Sequence, residues 1–83
     1  MNHAKRCKGY VVGSDIINGK EVWKVRVQEV GHENQLRLKG IKLEVASIRE
    51  GIQLTEGLDV TFIIGTVKQK FLKAIDVDVD VLL

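Results

Sequence analysis

Apolar and polar residues alternate along most of this chain, and glycine interrupts the alternation where the backbone must turn. The clearest stretch is 21–28, Glu-Val-Trp-Lys-Val-Arg-Val-Gln. Here Trp23, Val25 and Val27 share one face of an extended strand, and Lys24, Arg26 and Gln28 share the other. That strand is expected over 20–30. An earlier one is expected over 6–13, with Tyr10 and Val12 on one side and Val11 on the other. Between them lies Asn18-Gly19, a dipeptide that takes positive φ cheaply and predicts a tight hairpin turn. The polar run 31–34 predicts a second turn. A third strand follows over 35–39, with Leu36 and Leu38 inward and Arg37 and Lys39 outward.

Residues 40–57 carry two periods at once. Ile41, Val45, Ile48 and Ile52 are spaced as a helical stripe, while Ile41, Leu43 and Val45 alternate as a strand. Gly51 weakens a helix through it. The expectation is that strand three bends at Gly40 and runs to about Val45, followed by a short helical turn over 46–50. Beyond it the pattern is plain. A strand over 58–67 puts Val60, Phe62 and Ile64 on one face, and Lys68, Gln69 and Lys70 form a polar turn. The last strand, 71–82, sets Ile75, Val77, Val79 and Val81 against Asp76, Asp78 and Asp80, with Phe71 in phase with the inward set. Five strands with a short helical or irregular connector between the third and fourth are too few for two full sheets. Closing them into a small all-β barrel removes their edges.

Composition narrows the class further. The 83 residues allow one domain, 1–83, and 45% apolar with 29% charged residues is ordinary for a globular chain. No apolar run approaches the ~20 residues that cross a bilayer, and the charged start has no apolar segment behind it to form a secretory signal. A single cysteine, Cys7, cannot make an internal disulfide, so a cytoplasmic location is expected. The net charge of +2 is too small to name a partner, but its distribution is uneven. Lys5, Arg6 and Lys8 open the chain, Lys68, Lys70 and Lys73 surround the late turn, and three aspartates close it.

The segment Leu-Thr-Glu-Gly-Leu-Asp-Val-Thr-Phe-Ile-Ile at 54–64, followed by Lys-Ala-Ile-Asp-Val-Asp-Val at 73–79, resembles the second half of S1-like and cold-shock-like barrels of the OB (oligonucleotide/oligosaccharide-binding) fold. Gly57, Val60, Phe62, Ile64, Ala74 and Val77 fill the matching places, and Lys-Gly-Tyr-Val-Val-Gly at 8–13 sits where such barrels begin. The resemblance implies an OB-like barrel that binds nucleic acid on the face of strands two and three and through the loop joining the last two strands. Cold-shock proteins carry aromatic-rich motifs on strands two and three. Here strand two offers Trp23 and strand three offers no aromatic residue.

Candidate chemistry follows from these placements. If strands two and three pair, Lys24, Arg26, Arg37 and Lys39 lie on one face and form a footprint for phosphates. Such a face is also what keeps a sheet soluble. In OB topology strand five lies beside strand three, so the aspartates could instead neutralise Arg37 and Lys39, and register decides between the two. Lys68 and Lys70 join the candidates through the late turn. Tyr10 and Trp23 are the candidate stacking residues, with Tyr10 ahead because a core this small more often needs Trp23 as filling. Alternate aspartates stand roughly 6.6–6.8 Å apart along a strand, too far to share one ion without a loop. One cysteine and two histidines fall short of a zinc site. No metal, cofactor or catalytic constellation is expected, and the chain is not expected to be an enzyme. The expected function is a binding module for single-stranded nucleic acid, RNA ahead of DNA. The alternative is a protein-interaction or oligomerisation module that uses exposed strand edges and the C-terminal strand.

Overall fold

A computed structural model describes residues 5–68 and 70–81. Strands β1 (Cys7–Ile17) and β2 (Lys20–Glu29) form a long antiparallel hairpin. Its turn is Asn18-Gly19, with φ of 51° and 77°. Both central residues of a two-residue hairpin turn of this kind need positive φ, which asparagine and glycine adopt at least cost. Strand β3 (Lys42–Glu44) pairs with β2, β4 (Asp59–Thr66) pairs with the first half of β1, and β5 (Leu72–Val79) pairs with β4. The sheet order is therefore β3-β2-β1-β4-β5, antiparallel throughout.

The two edges of this sheet curl toward one another. Val45 bridges Ala74 and Ile48 bridges Val77, both in parallel sense. Three backbone bonds serve these bridges: Ala46 N–H to the Ala74 carbonyl, Val77 N–H to Ser47, and Arg49 N–H to Val77, at 2.8, 3.1 and 2.9 Å. The ladder is not continuous at this seam, so the result is a curled five-stranded barrel whose edges are joined by isolated bridges rather than a closed ladder. The connector after β3 is irregular and extended, and the helical turn expected over 46–50 does not form. The reason is visible in its partners, because 45–49 spends its backbone groups on β5.

Inside the barrel, Val11, Val25, Val27, Val60, Phe62, Ala74 and Val77 are essentially inaccessible to solvent, with Cys7 beside them. The inward sets expected for strands two and four are found. Phe62 is the largest fully buried side chain, and it owes its room to Gly9. A Cβ at Gly9 would stand 1.9 Å from the Arg26 carbonyl oxygen and 3.3 Å from the Phe62 ring. Glycine lets β1 lie close to β2 at a position where β1 is also paired with β4 on its other side.

Three further expectations fail. The third strand expected at 35–39 is a 3-10 helix, Glu33–Leu38, and β3 begins only at Lys42. Leucine, glutamine, arginine and lysine lose little rotamer freedom in a helical turn and lack the branched shape that fills a pleated face. Leu36 accordingly points outward at 58% exposure, while Leu38 packs against the core. Gly40, at φ 87°, then reverses the chain into β3. In β5 the alternation slips: Ala74 and Val77, three apart, are both fully buried. Asp76 at φ 56° is the cause, and the β4 register shifts between Thr61 and Ile63 beside it. Finally, Phe71 was expected inward and is 78% exposed. The end of the C-terminal strand expected to serve an oligomer contact, Leu82-Leu83, lies outside the described residues.

Candidate nucleic-acid interface

On the outer face of the sheet the register aligns one residue from each of four strands. Lys42 is opposite Arg26, Arg26 is opposite Tyr10, and Tyr10 is opposite Asp59. Directly opposed residues share a face with their Cβ atoms about 4.5–5.5 Å apart, so two cations and a half-exposed phenol form a continuous row. Like charges in such positions are destabilising, and here Lys42 and Arg26 are neighbours without a carboxylate between them. Arg26 spends one bond on the turn that precedes β3, donating from Nη1 to the Gly40 carbonyl at 2.6 Å. Lys42 is exposed and makes no ion pair among the described residues.

The next row is balanced rather than basic. Lys24 lies opposite Glu44 and reaches Asp15 at 3.3 Å. Glu44 in turn receives Lys73 Nζ at 2.5 Å. The hydrogen bond from Lys73, reinforced by its charge, holds the Glu44 carboxyl below its ordinary value. Lys73 thus shows where barrel closure leaves the β4–β5 turn, which is alongside β3 and the outer face. Lys68 and Lys70 stand exposed in that turn. At the other end, Lys39 lines a shallow groove with Lys8 and Gln28, faced by Glu29, Asp59 and Asp80. Arg37 is exposed on the 3-10 helix and therefore is not on the sheet face expected for it. Trp23 is half-buried against the core and, with Ile48 and Ile52, lines a separate groove. The row therefore unites Tyr10 and Arg26 from the expected set. It adds Lys42, whose outward placement was legible in the Ile41-Leu43-Val45 alternation.

The aspartates of β5 are occupied elsewhere. Asp76 receives Arg49 through two bonds, Nη2 to Oδ2 at 2.6 Å and Nε to Oδ1 at 3.3 Å, and Arg6 Nη1 at 2.9 Å. Arg49 Nη1 also bonds Asp78 at 2.7 Å. Ser47 Oγ accepts the Asp76 N–H at 2.8 Å, and Arg6 further donates to the Asp76 carbonyl and to Thr61. These contacts explain the left-handed backbone at Asp76 and fasten the seam between the connector and β5. Neither Arg6 nor Arg49 was singled out by the alternation, because their partners become neighbours only when the barrel closes.

The network has a pH consequence. The bonds from Arg49, with Arg6 contributing, lower the Asp76 pKa from its ordinary 3.8, and the same contacts raise that of Arg49. A carboxyl depressed in the folded state stabilises the fold above its unfolded pKa, and this contribution is lost as pH falls through the folded value. Melting temperature is therefore expected to fall between about pH 4 and the lower folded pKa of Asp76. The fall should be smaller in Asp76→Asn, read by circular dichroism. Equal pH profiles for the two proteins would exclude this assignment.

No group of three or more histidine, cysteine, aspartate or glutamate side chains is placed to hold a metal ion among the described residues. No helix among the described residues is long and apolar enough to cross a membrane. No protein-family model, curated protein or solved structure significantly matches this chain.

Proposed function

We propose that this chain is a non-enzymatic, cytoplasmic module of the S1-like or cold-shock-like OB type that binds single-stranded nucleic acid, RNA in preference to DNA. The observation that carries the reading is the row Lys42, Arg26 and Tyr10. Two like charges held side by side on a sheet are a cost to the folded protein, and a phosphate seated between them reverses its sign. The carboxylates best placed to neutralise this face from β5, Asp76 and Asp78, are engaged by Arg6 and Arg49 instead. Tyr10, next in the row, offers an aromatic face for a base, while Lys68 and Lys70 offer charge from the adjacent turn. Lys24 contributes less, since Asp15 pairs with it; Lys42 shares a groove with Asp15 and Glu56, and Lys39 one with Glu29, Asp59 and Asp80, without an ion pair among the described residues.

Binding through phosphates releases counterions, so log affinity should fall linearly with log salt. For contacts from Arg26, Lys42, Lys68 and Lys70 the slope on a single strand is expected to be about −3. A fluorescence-anisotropy titration of a labelled single strand at several salt concentrations measures it. Binding that ignores salt, or no binding at low salt, would defeat the proposal.

A second reading, association through strand edges, is favoured by the distal half of the β1–β2 hairpin. Residues 14–17 pair with β2 alone, and Ile16 is 72% exposed. An unpaired edge with an exposed branched residue is a template for another strand. Light scattering after size exclusion should then report a dimer that Ile16→Lys converts to monomer. A monomer at about 100 μM would remove this reading, since that is the affinity range of weak transient contacts.

A further inference from the structure

The β4–β5 turn is chemically unlike the rest of the surface. Among the described residues Phe71 is the most exposed large apolar side chain at 78%, with Val67 and Leu72 partly exposed beside it. Lys68 and Lys70 precede it without an ion pair among the described residues, and no acidic residue occurs from 67 to 75. A phenylalanine left in water in a chain with only two is a loss of burial that the core does not require, because Phe62 already fills the centre. Lys73, two residues beyond Phe71 on β5, reaches Glu44 on β3, two residues along that strand from Lys42 of the basic row.

We propose that Phe71 stacks on a nucleobase while Lys68 and Lys70 meet the flanking phosphates, a role that presupposes the function proposed above. The strand then runs from the Lys42–Arg26–Tyr10 row across β3 onto this turn. An exposed aromatic that directly follows two unpaired cations suits a polyanion whose every unit carries a flat apolar base. An anionic membrane surface would also meet lysines and an apolar tip. One phenylalanine with two partly shielded aliphatics is a small wedge for it, however, and stable anchoring needs more buried apolar surface than that.

The test is anisotropy with a single strand of about a dozen nucleotides, within the roughly 4–16 that one such fold covers. Phe71→Ala and Phe71→Leu are each expected to bind about 5- to 150-fold more weakly than the unaltered protein, and Phe71→Tyr to bind comparably. The salt slope should be unchanged in Phe71→Ala but shallower by about 0.7 in Lys70→Ala. Because Phe71 is exposed, thermal melts of the three variants should coincide with that of the parent. Equal affinity of Phe71→Leu and the parent overturns the stacking role. So does Phe71-dependent sedimentation with phosphatidylserine vesicles while strand binding is unaffected by Phe71→Ala. If the parent binds and Lys42→Glu weakens it but Phe71→Ala does not, this role alone is lost. If the parent binds no strand, the function proposed above falls with it.

Discussion

Replacing Phe62 by alanine should lower the free energy of unfolding by about 3–5 kcal/mol, the usual cost of removing a buried phenylalanine side chain and leaving a cavity. The site has little capacity to collapse, because its neighbours Val11, Val25, Val60 and Val77 are themselves fully buried on strands whose register is hydrogen-bonded. Domains are typically stable by about 5–15 kcal/mol, and one this short belongs near the lower end. Phe62→Ala should therefore be largely unfolded near 37 °C, seen as loss of the strand signal in circular dichroism on mild heating. Gly9→Ala attacks the same contact from the other side. Its new methyl would collide with the Arg26 carbonyl and crowd the Phe62 ring, so β1 and β2 must separate. Overpacking of this kind costs about 1–3 kcal/mol or more where backbone has to move. A Phe62→Ala protein that melts within a few degrees of the parent would mean that the core is not centred there.

These residues also mark how far alternation alone reaches into the fold. The hairpin, its Asn18-Gly19 turn and the inward faces of strands two and four were legible, since each depends on period-two burial and on a turn with its own chemistry. The segment 33–40 was not. Leu36 and Leu38 alternate as a strand would, but only Leu38 finds the core, and the residue types around them favour a helical turn. Likewise Ile75, Val77 and Val79 spell a regular strand, whereas Asp76 adopts a left-handed backbone through contacts with Ser47, Arg6 and Arg49. Those partners come from positions 27 to 70 residues away, beyond any local pattern. The interface was half legible for the same reason. Tyr10 and Arg26 could be placed on one strand face each, but that they are opposite one another depends on the register after the bulge between Val11 and Gly13. Arg37 was replaced in the row by Lys42 when the third strand moved forward in the chain.

That replacement defines the second large effect. Arg26→Glu with Lys42→Glu is expected to reduce affinity for a single strand by at least about 25-fold at roughly 0.1 M salt. The estimate takes the loss of two phosphate contacts at about 0.7 log unit each per tenfold salt, with the slope shallower by about 1.4. Repulsion from the introduced carboxylates deepens the loss. Arg26 also holds the Gly40 carbonyl, so its variant alone could act by loosening the turn; Lys42 has no such bond, and Lys42→Glu by itself should lose about fivefold or more with an unchanged melt. Lys24→Glu should have a smaller effect than Lys42→Glu, because Asp15 and Glu44 already offset Lys24. Lys20→Glu, beside the hairpin turn, changes net charge equally and is the control for a diffuse electrostatic effect. If Lys20→Glu weakens binding as much as Lys42→Glu does, the strand is attracted by overall charge and not seated on this face. If only Lys42→Glu and Arg26→Glu matter, the opposed cations on β2 and β3 are where the phosphate sits.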